Sequence, residues 1–139
     1  MSKIYIFTDG GARGNPGPAA IGVAIKKDNF FLTKIGRKIG FNTNNFAEYS
    51  AVIEGLKYLK ENPSCLENID EIIFFMDSEL VASQVNGIYK VKSPKLRKLL
   101  MELRLLEQQI QKEIIYRHIK REENKIADGL VNMALDNKI

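Results

Sequence analysis

DEIIFFMD, residues 70–77, is the stretch on which the fold turns. Ile72–Met76 is an unbroken apolar run of strand length, closed by acidic residues at both ends. A run of that kind suits a strand buried on both faces, the usual state of a parallel strand covered by helices. Its counterpart is KIYIFTD, residues 3–9, β-branched and aromatic and again ending in an aspartate. AAIGVAIKK (19–27) and FFLTKIGRKIG (30–40) read as two further strands joined by a hairpin turn at Asp28-Asn29. The first three strands are therefore expected to form an antiparallel meander.

Helical spacing takes over downstream. Asn44 or Asn45 caps a helix whose apolar positions are Phe46, Tyr49, Val52, Ile53, Leu56 and Leu59, and Asn62-Pro63 ends it. A short helix follows at 79–85, broken by Asn86-Gly87. Ser93-Pro94 opens a longer one through about Gln111, with Leu96, Leu99, Leu100, Leu103, Leu106 and Ile110 on one side. EIIYRHI (113–119) reads as a fifth strand, and a last helix is expected from about Glu122 to Asp136. The pattern predicts an α/β fold: a mixed five-stranded sheet, three antiparallel strands and then parallel ones, flanked by helices. With no repeat, linker or low-complexity tract, residues 1–139 read as one domain.

Composition narrows the chemistry. Residues 88–125 carry 11 basic and 5 acidic side chains, whereas residues 1–87 carry 9 and 10. That asymmetry fits either a phosphate-binding footprint or a solvated, lysine-rich helix face. Cys65 is the only cysteine, which excludes an intrachain disulfide and a cysteine-based zinc site. His118 is the only histidine, so a three-histidine zinc site is excluded as well. No signal-peptide pattern and no apolar run of membrane-spanning length is present, so a soluble, cytoplasmic setting is expected, without a membrane or an obligate protein partner.

Asp9 and Asp77 each end an apolar strand. If those strands are parallel neighbours, the two carboxylates meet at one crevice, where like charges are costly unless a cation is shared. Each is also a common turn residue. Glu48 reads two ways, as a capping-box partner of Asn45 or as a third carboxylate near the same crevice. Asp128 falls at the edge of the last helix's apolar stripe, where Arg121, Lys125 or a metal ion would relieve its partial burial. Carboxylates around a small pocket suit Mg²⁺ or Mn²⁺, and two such ions can drive phosphodiester hydrolysis. Gly10–Pro18 lacks the pattern of a P-loop; beside Asp9 it is a candidate floor for a nucleic-acid strand.

Taken together, four segments resemble type 1 ribonuclease H over nearly the whole chain. They are Thr8-Asp9-Gly10-Gly11 with Gly14-Asn15-Pro16-Gly17-Pro18; Thr43-Asn44-Asn45 with Ala47-Glu48; Asp77-Ser78; and Arg121-Glu122-x-Asn124-x-x-Ala127-Asp128. The resemblance implies the ribonuclease H-like sheet and assigns Asp9, Glu48, Asp77 and Asp128 as catalytic, metal-binding carboxylates. It also implies two Mg²⁺ or Mn²⁺ ions and an RNA–DNA hybrid substrate cut to 5′-phosphate and 3′-hydroxyl ends. Gly10, Gly11, Asn15, Asn44 and Asn45 would then line the minor groove, where 2′-hydroxyls distinguish RNA from DNA. The chain departs from the family at Glu79, where many bacterial relatives carry Gln. The basic protrusion of some relatives is shortened here to Gly87–Ser93, leaving Lys90 and Lys92, with Lys95 and Arg97, as expected phosphate contacts. His118 and Arg121 are alternative candidates for assisting product release. A non-catalytic hybrid-binding domain of the same fold, or a nuclease with another substrate, are the competing expectations.

Overall fold

The computed structural model describes residues Ser2–Ile139. The strands are β1 (Ser2–Ala12), β2 (Gly17–Lys27), β3 (Phe30–Asn42), β4 (Ile69–Met76) and β5 (Glu113–His118). The helices are α1 (Asn44–Glu61), α2 (Glu79–Val85), α3 (Pro94–Ile110) and α4 (Lys125–Leu135). The sheet order is β3-β2-β1-β4-β5, antiparallel through β1–β2–β3 and parallel through β1–β4–β5. The expected mixed sheet is therefore the observed one.

Alternation along the strands divides two layers. Ile4 and Ile6 of β1 and Ile21, Val23 and Ile25 of β2 join the large apolar core with Tyr49, Leu56, Leu59 and Leu103 from α1 and α3. On the opposite face, Ala20 meets Val131, Ala134 and Leu135 of α4. Burial of this core is the main favourable contribution to folding.

Three local expectations are corrected. The first strand does not stop at Asp9, because Gly10, Gly11 and Ala12 continue it against Ile21, Ala20 and Ala19 of β2. Glycines that suggest a loop are here held extended by a neighbouring strand. The cap of α1 is Thr43, not Asn44 or Asn45: its Oγ1 accepts from the Phe46 N–H at 3.1 Å. Asn44 is occupied elsewhere, its Oδ1 accepting from the Ala12 N–H at 2.8 Å and its own N–H donating to Asn15 Oδ1 at 2.9 Å. Finally, the last helix starts at Lys125, after a short 3₁₀ turn over Arg121–Glu123.

Candidate active site

The parallel ladder between β1 and β4 ends at the rung Thr8–Met76. Asp9 and Asp77 are the next residues on each strand, so backbone pairing alone carries two carboxylates to one crevice. Glu48 arrives from the first turns of α1. The Gly10 N–H donates to both Asp9 Oδ1 (3.0 Å) and Glu48 Oε1 (3.1 Å). Glu48 is thus not a capping-box partner of Asn45; it is drawn to the strand. Gly10 permits this approach, because a Cβ there would lie 2.2 Å from the Ala47 carbonyl carbon and 2.4 Å from the Glu48 nitrogen.

Carboxylate oxygens of Asp9, Glu48 and Asp77 all lie within 4.8 Å of one another. They line a cleft of about 430 Å³ together with Gly10, Gly11, Asn44, Asn45, Arg121 and Asp128. Asp128 is partly buried, as its place on the helix edge predicts, and one of its oxygens is 3.7 Å from the Arg121 guanidinium. That guanidinium is largely exposed, so the pair is a weak one. Asn15 orients Asn44 from behind and is not part of the cleft wall. His118, at the exposed end of β5, does not line the cleft, and neither do Lys90 and Lys92 on the segment after α2.

Asn124 belongs to the last of the four motif segments, yet the sequence assigns it no role. It is 1% exposed, and its Nδ2 donates to the Thr8 carbonyl at 2.8 Å and to Asp77 Oδ2 at 3.1 Å. One amide therefore clasps the ends of β1 and β4 and orients the Asp77 carboxylate. Its position just ahead of α4, four residues before Asp128, is the signal that a sequence offers. Arg13, which reaches the same cleft, forms an ion pair with Asp136 at 2.6 Å.

Electrostatics follow from crowding. Burial first, then the charges of Asp77 and Asp128, push the Asp9 carboxyl up to about 7, against the opposing hydrogen bonds to Glu48 and, more weakly, to the Gly10 N–H. Burial, then Asp9, raises Glu48 well above its ordinary range. Glu48 Oε2 is buried without a hydrogen-bond partner. An orphaned carboxylate oxygen among three close carboxylates is the donor set that Mg²⁺ or Mn²⁺ accepts, so these residues fit such an ion.

The sign of the pH dependence is fixed by those shifts. A carboxyl whose pKa is higher in the folded state than in the unfolded chain binds its proton more tightly when folded. Its stabilising contribution is present below the ordinary value of 3.8 and is lost as pH rises towards about 7. Thermal unfolding in chelator should therefore show Asp9→Asn protein gaining on wild type across that window, and added Mg²⁺ should narrow the gap. A difference between the two proteins that does not vary with pH would refute the crowding.

Comparison with known proteins supplies the family. A family model described as reverse transcriptase-like matches residues 7–134. A ribonuclease HI of Haemophilus ducreyi is 30% identical over 150 residues, covering 99% of this chain and 93% of that protein. The chain belongs to the type 1 ribonuclease H family. An RNase H1 isolated from compost by a metagenomic approach gives a TM-score of 0.91 at 44% identity, covering 99% of both chains. A structure of that ribonuclease H in complex with an RNA/DNA hybrid gives 0.88 at 41% identity. A bifunctional protein of Mycobacterium tuberculosis is 38% identical over 136 residues, which are 96% of this chain and 36% of that one. The chain thus spans about a third of the length of the mycobacterial relatives it matches.

Proposed function

We propose that this chain, as one ribonuclease H domain over residues 1–139, is an endoribonuclease that hydrolyses the RNA strand of RNA–DNA hybrids. The observation that carries the reading is the convergence of Asp9, Glu48 and Asp77 within 4.8 Å, with Asp128 on the same cleft wall. Membership of the type 1 ribonuclease H family and the hybrid bound by a relative at 41% identity support the substrate. In this proposal the four carboxylates hold two Mg²⁺ or Mn²⁺ ions, which supply the charge that activates a water and stabilises the leaving oxygen. The products are a 5′-phosphate and a 3′-hydroxyl.

The chain's own residues do the remaining work. Asn124 holds the Asp77 carboxylate in register with β1. Gly10, Gly11, Asn44 and Asn45 line the cleft and face the minor groove in this reading, with Asn15 fixing the Asn44 backbone. Arg121 lines the cleft whereas His118 does not, so the assisting role in product release is assigned to Arg121. Among the described residues no helix is long and apolar enough to cross a membrane. A cytoplasmic location is part of the proposal and suits the unpaired Cys65.

The test is cleavage of a labelled RNA–DNA hybrid, with single-stranded RNA, RNA duplex and DNA duplex as controls, each in Mg²⁺, Mn²⁺ or chelator. Metal-dependent cutting confined to the RNA strand of the hybrid is the expected outcome. Hybrid binding without cutting by folded protein would replace the enzyme with a binding domain. Exposed Lys90 and Lys92 are the proposed phosphate ligands. Replacing both with Ala should weaken hybrid binding and flatten the salt dependence by about one unit of slope for each lysine removed. An unchanged slope in a salt titration would move the basic footprint elsewhere.

A further inference from the structure

Residues 86–93, between α2 and α3, form no regular element, yet they are pinned at several points. The Ile88 and Tyr89 N–H groups donate to the Ser83 carbonyl at 2.8 and 3.2 Å. Val91 is buried in the main core, and its carbonyl accepts from Arg97 Nε at 2.6 Å. Lys90 and Lys92 flank this plug and are exposed. Beneath the segment lies a buried polar pair. The Tyr49 hydroxyl, fully buried, donates to Gln84 Oε1 at 2.7 Å, and Gln84 Nε2 reaches the Lys90 carbonyl at 3.5 Å. Neither Tyr49 nor Gln84 lines the cleft.

Tyr49 is the chain neighbour of Glu48. One turn of α1 therefore delivers a carboxylate to the reacting centre and, with the next residue, supports the segment that carries the two lysines. We propose that the Tyr49–Gln84 pair is a positioning strut that sets the register between Lys90 and Lys92 and the carboxylate cluster. A buried hydroxyl–amide pair is an expensive way to fill a core, since either partner left alone would be an unsatisfied polar group. What it adds over two apolar side chains is a directional tie to the Lys90 backbone. A nucleic-acid backbone held by the lysines is thereby presented to the carboxylates at a fixed separation. This inference rests on the hybrid-cleaving reading above.

The informative variant is the double replacement Tyr49→Phe with Gln84→Met. It exchanges both polar partners for apolar groups of similar shape, a change that leaves stability nearly unaltered. If the pair is a strut, backbone amide exchange over residues 88–92 quickens while that of α1 does not. Hybrid KM then rises by about fivefold with kcat within about twofold, the effect of losing one directed hydrogen bond. Adding Lys90→Ala and Lys92→Ala should cost less affinity in this background than in wild type, because the coupling has already been broken. Tyr49→Phe alone, which leaves Gln84 Oε1 without its donor and the amide free to turn away from Lys90, should show the same KM rise together with a lower unfolding temperature. Wild-type exchange rates, KM and lysine effects in a folded double variant would overturn the strut. So would a loss confined to kcat, which would assign the pair to the carboxylates. Absence of hybrid cleavage in wild-type protein would count instead against the proposed activity, and the exchange measurement, made without nucleic acid, keeps the two failures apart.

Discussion

Asp9→Asn protein is expected to lose metal-dependent cleavage by on the order of 10³-fold or more in kcat while binding the hybrid within a few-fold of wild type. The substitution keeps the shape of the side chain and its bond to the Gly10 N–H, and removes one negative charge from a site of four carboxylates. In this proposal that charge is part of what holds the catalytic cations, so transition-state stabilisation falls and ground-state binding of the hybrid remains. Stability should move the other way. A buried carboxyl whose pKa is raised to about 7 is a destabilising charge at neutral pH, and its neutral isostere relieves the neighbours. Single-turnover cleavage and thermal unfolding of one preparation would read both effects. Near-normal Mg²⁺-dependent turnover would remove Asp9 from the catalytic set.

Gly22→Ala should be almost as damaging, although Gly22 is not a wall of the cleft. Gly22 is the cross-strand partner of Asp9, and in turn pairs with Gly36 on β3. Helix α4 lies directly over these glycines. A Cβ on Gly22 would fall 2.2 Å from the Ala127 carbonyl oxygen, a backbone atom that no rotamer change can move aside. The helix must therefore lift, and Asp128, the next residue, lifts with it. A displacement near 1 Å is enough to lower kcat by about 100-fold, and the overpacked interface should lose about 1–3 kcal/mol of stability. Gly129→Ala is the matched control, since a Cβ there meets nothing within 4 Å. It should instead stabilise α4 by roughly 0.5–1 kcal/mol, with cleavage retained. Equal activity in Gly22→Ala and Gly129→Ala proteins would show that the helix-to-sheet distance does not set the site.

The contrast between those glycines indicates what a sequence can and cannot show. The strands carrying Asp9 and leading into Asp77 were legible because one face is fully buried and the other, with Tyr5, Phe7 and Phe75, half-buried, which writes an unbroken apolar run. Parallel pairing follows from chain order. The helix bearing Glu48 was legible from its apolar spacing. Less so were the residues whose roles depend on a partner far along the chain. Thr43, Asn44 and Asn45 can each cap a helix in isolation; Asn44 Oδ1 is taken up by the Ala12 N–H, which leaves Thr43 to do the capping. Gly10–Ala12 continue a strand only because β2 lies beside them. Asn124 shows its use only once the ends of β1 and β4 are adjacent.

The four carboxylates are also anchored with unequal permanence. Asp9 rides on β1, the central strand, bonded to a neighbour on each side, and Asp77 follows directly on β4. Asp128 rides on α4, an 11-residue helix seated on the sheet around Ala20, Val131 and Ala134. A helix of that size can detach in a local opening that leaves the sheet whole. In such an opening the site would shed its fourth carboxylate while the other three stayed with the sheet and α1, and the lifetime of the docked α4 would set how long the complete quartet exists.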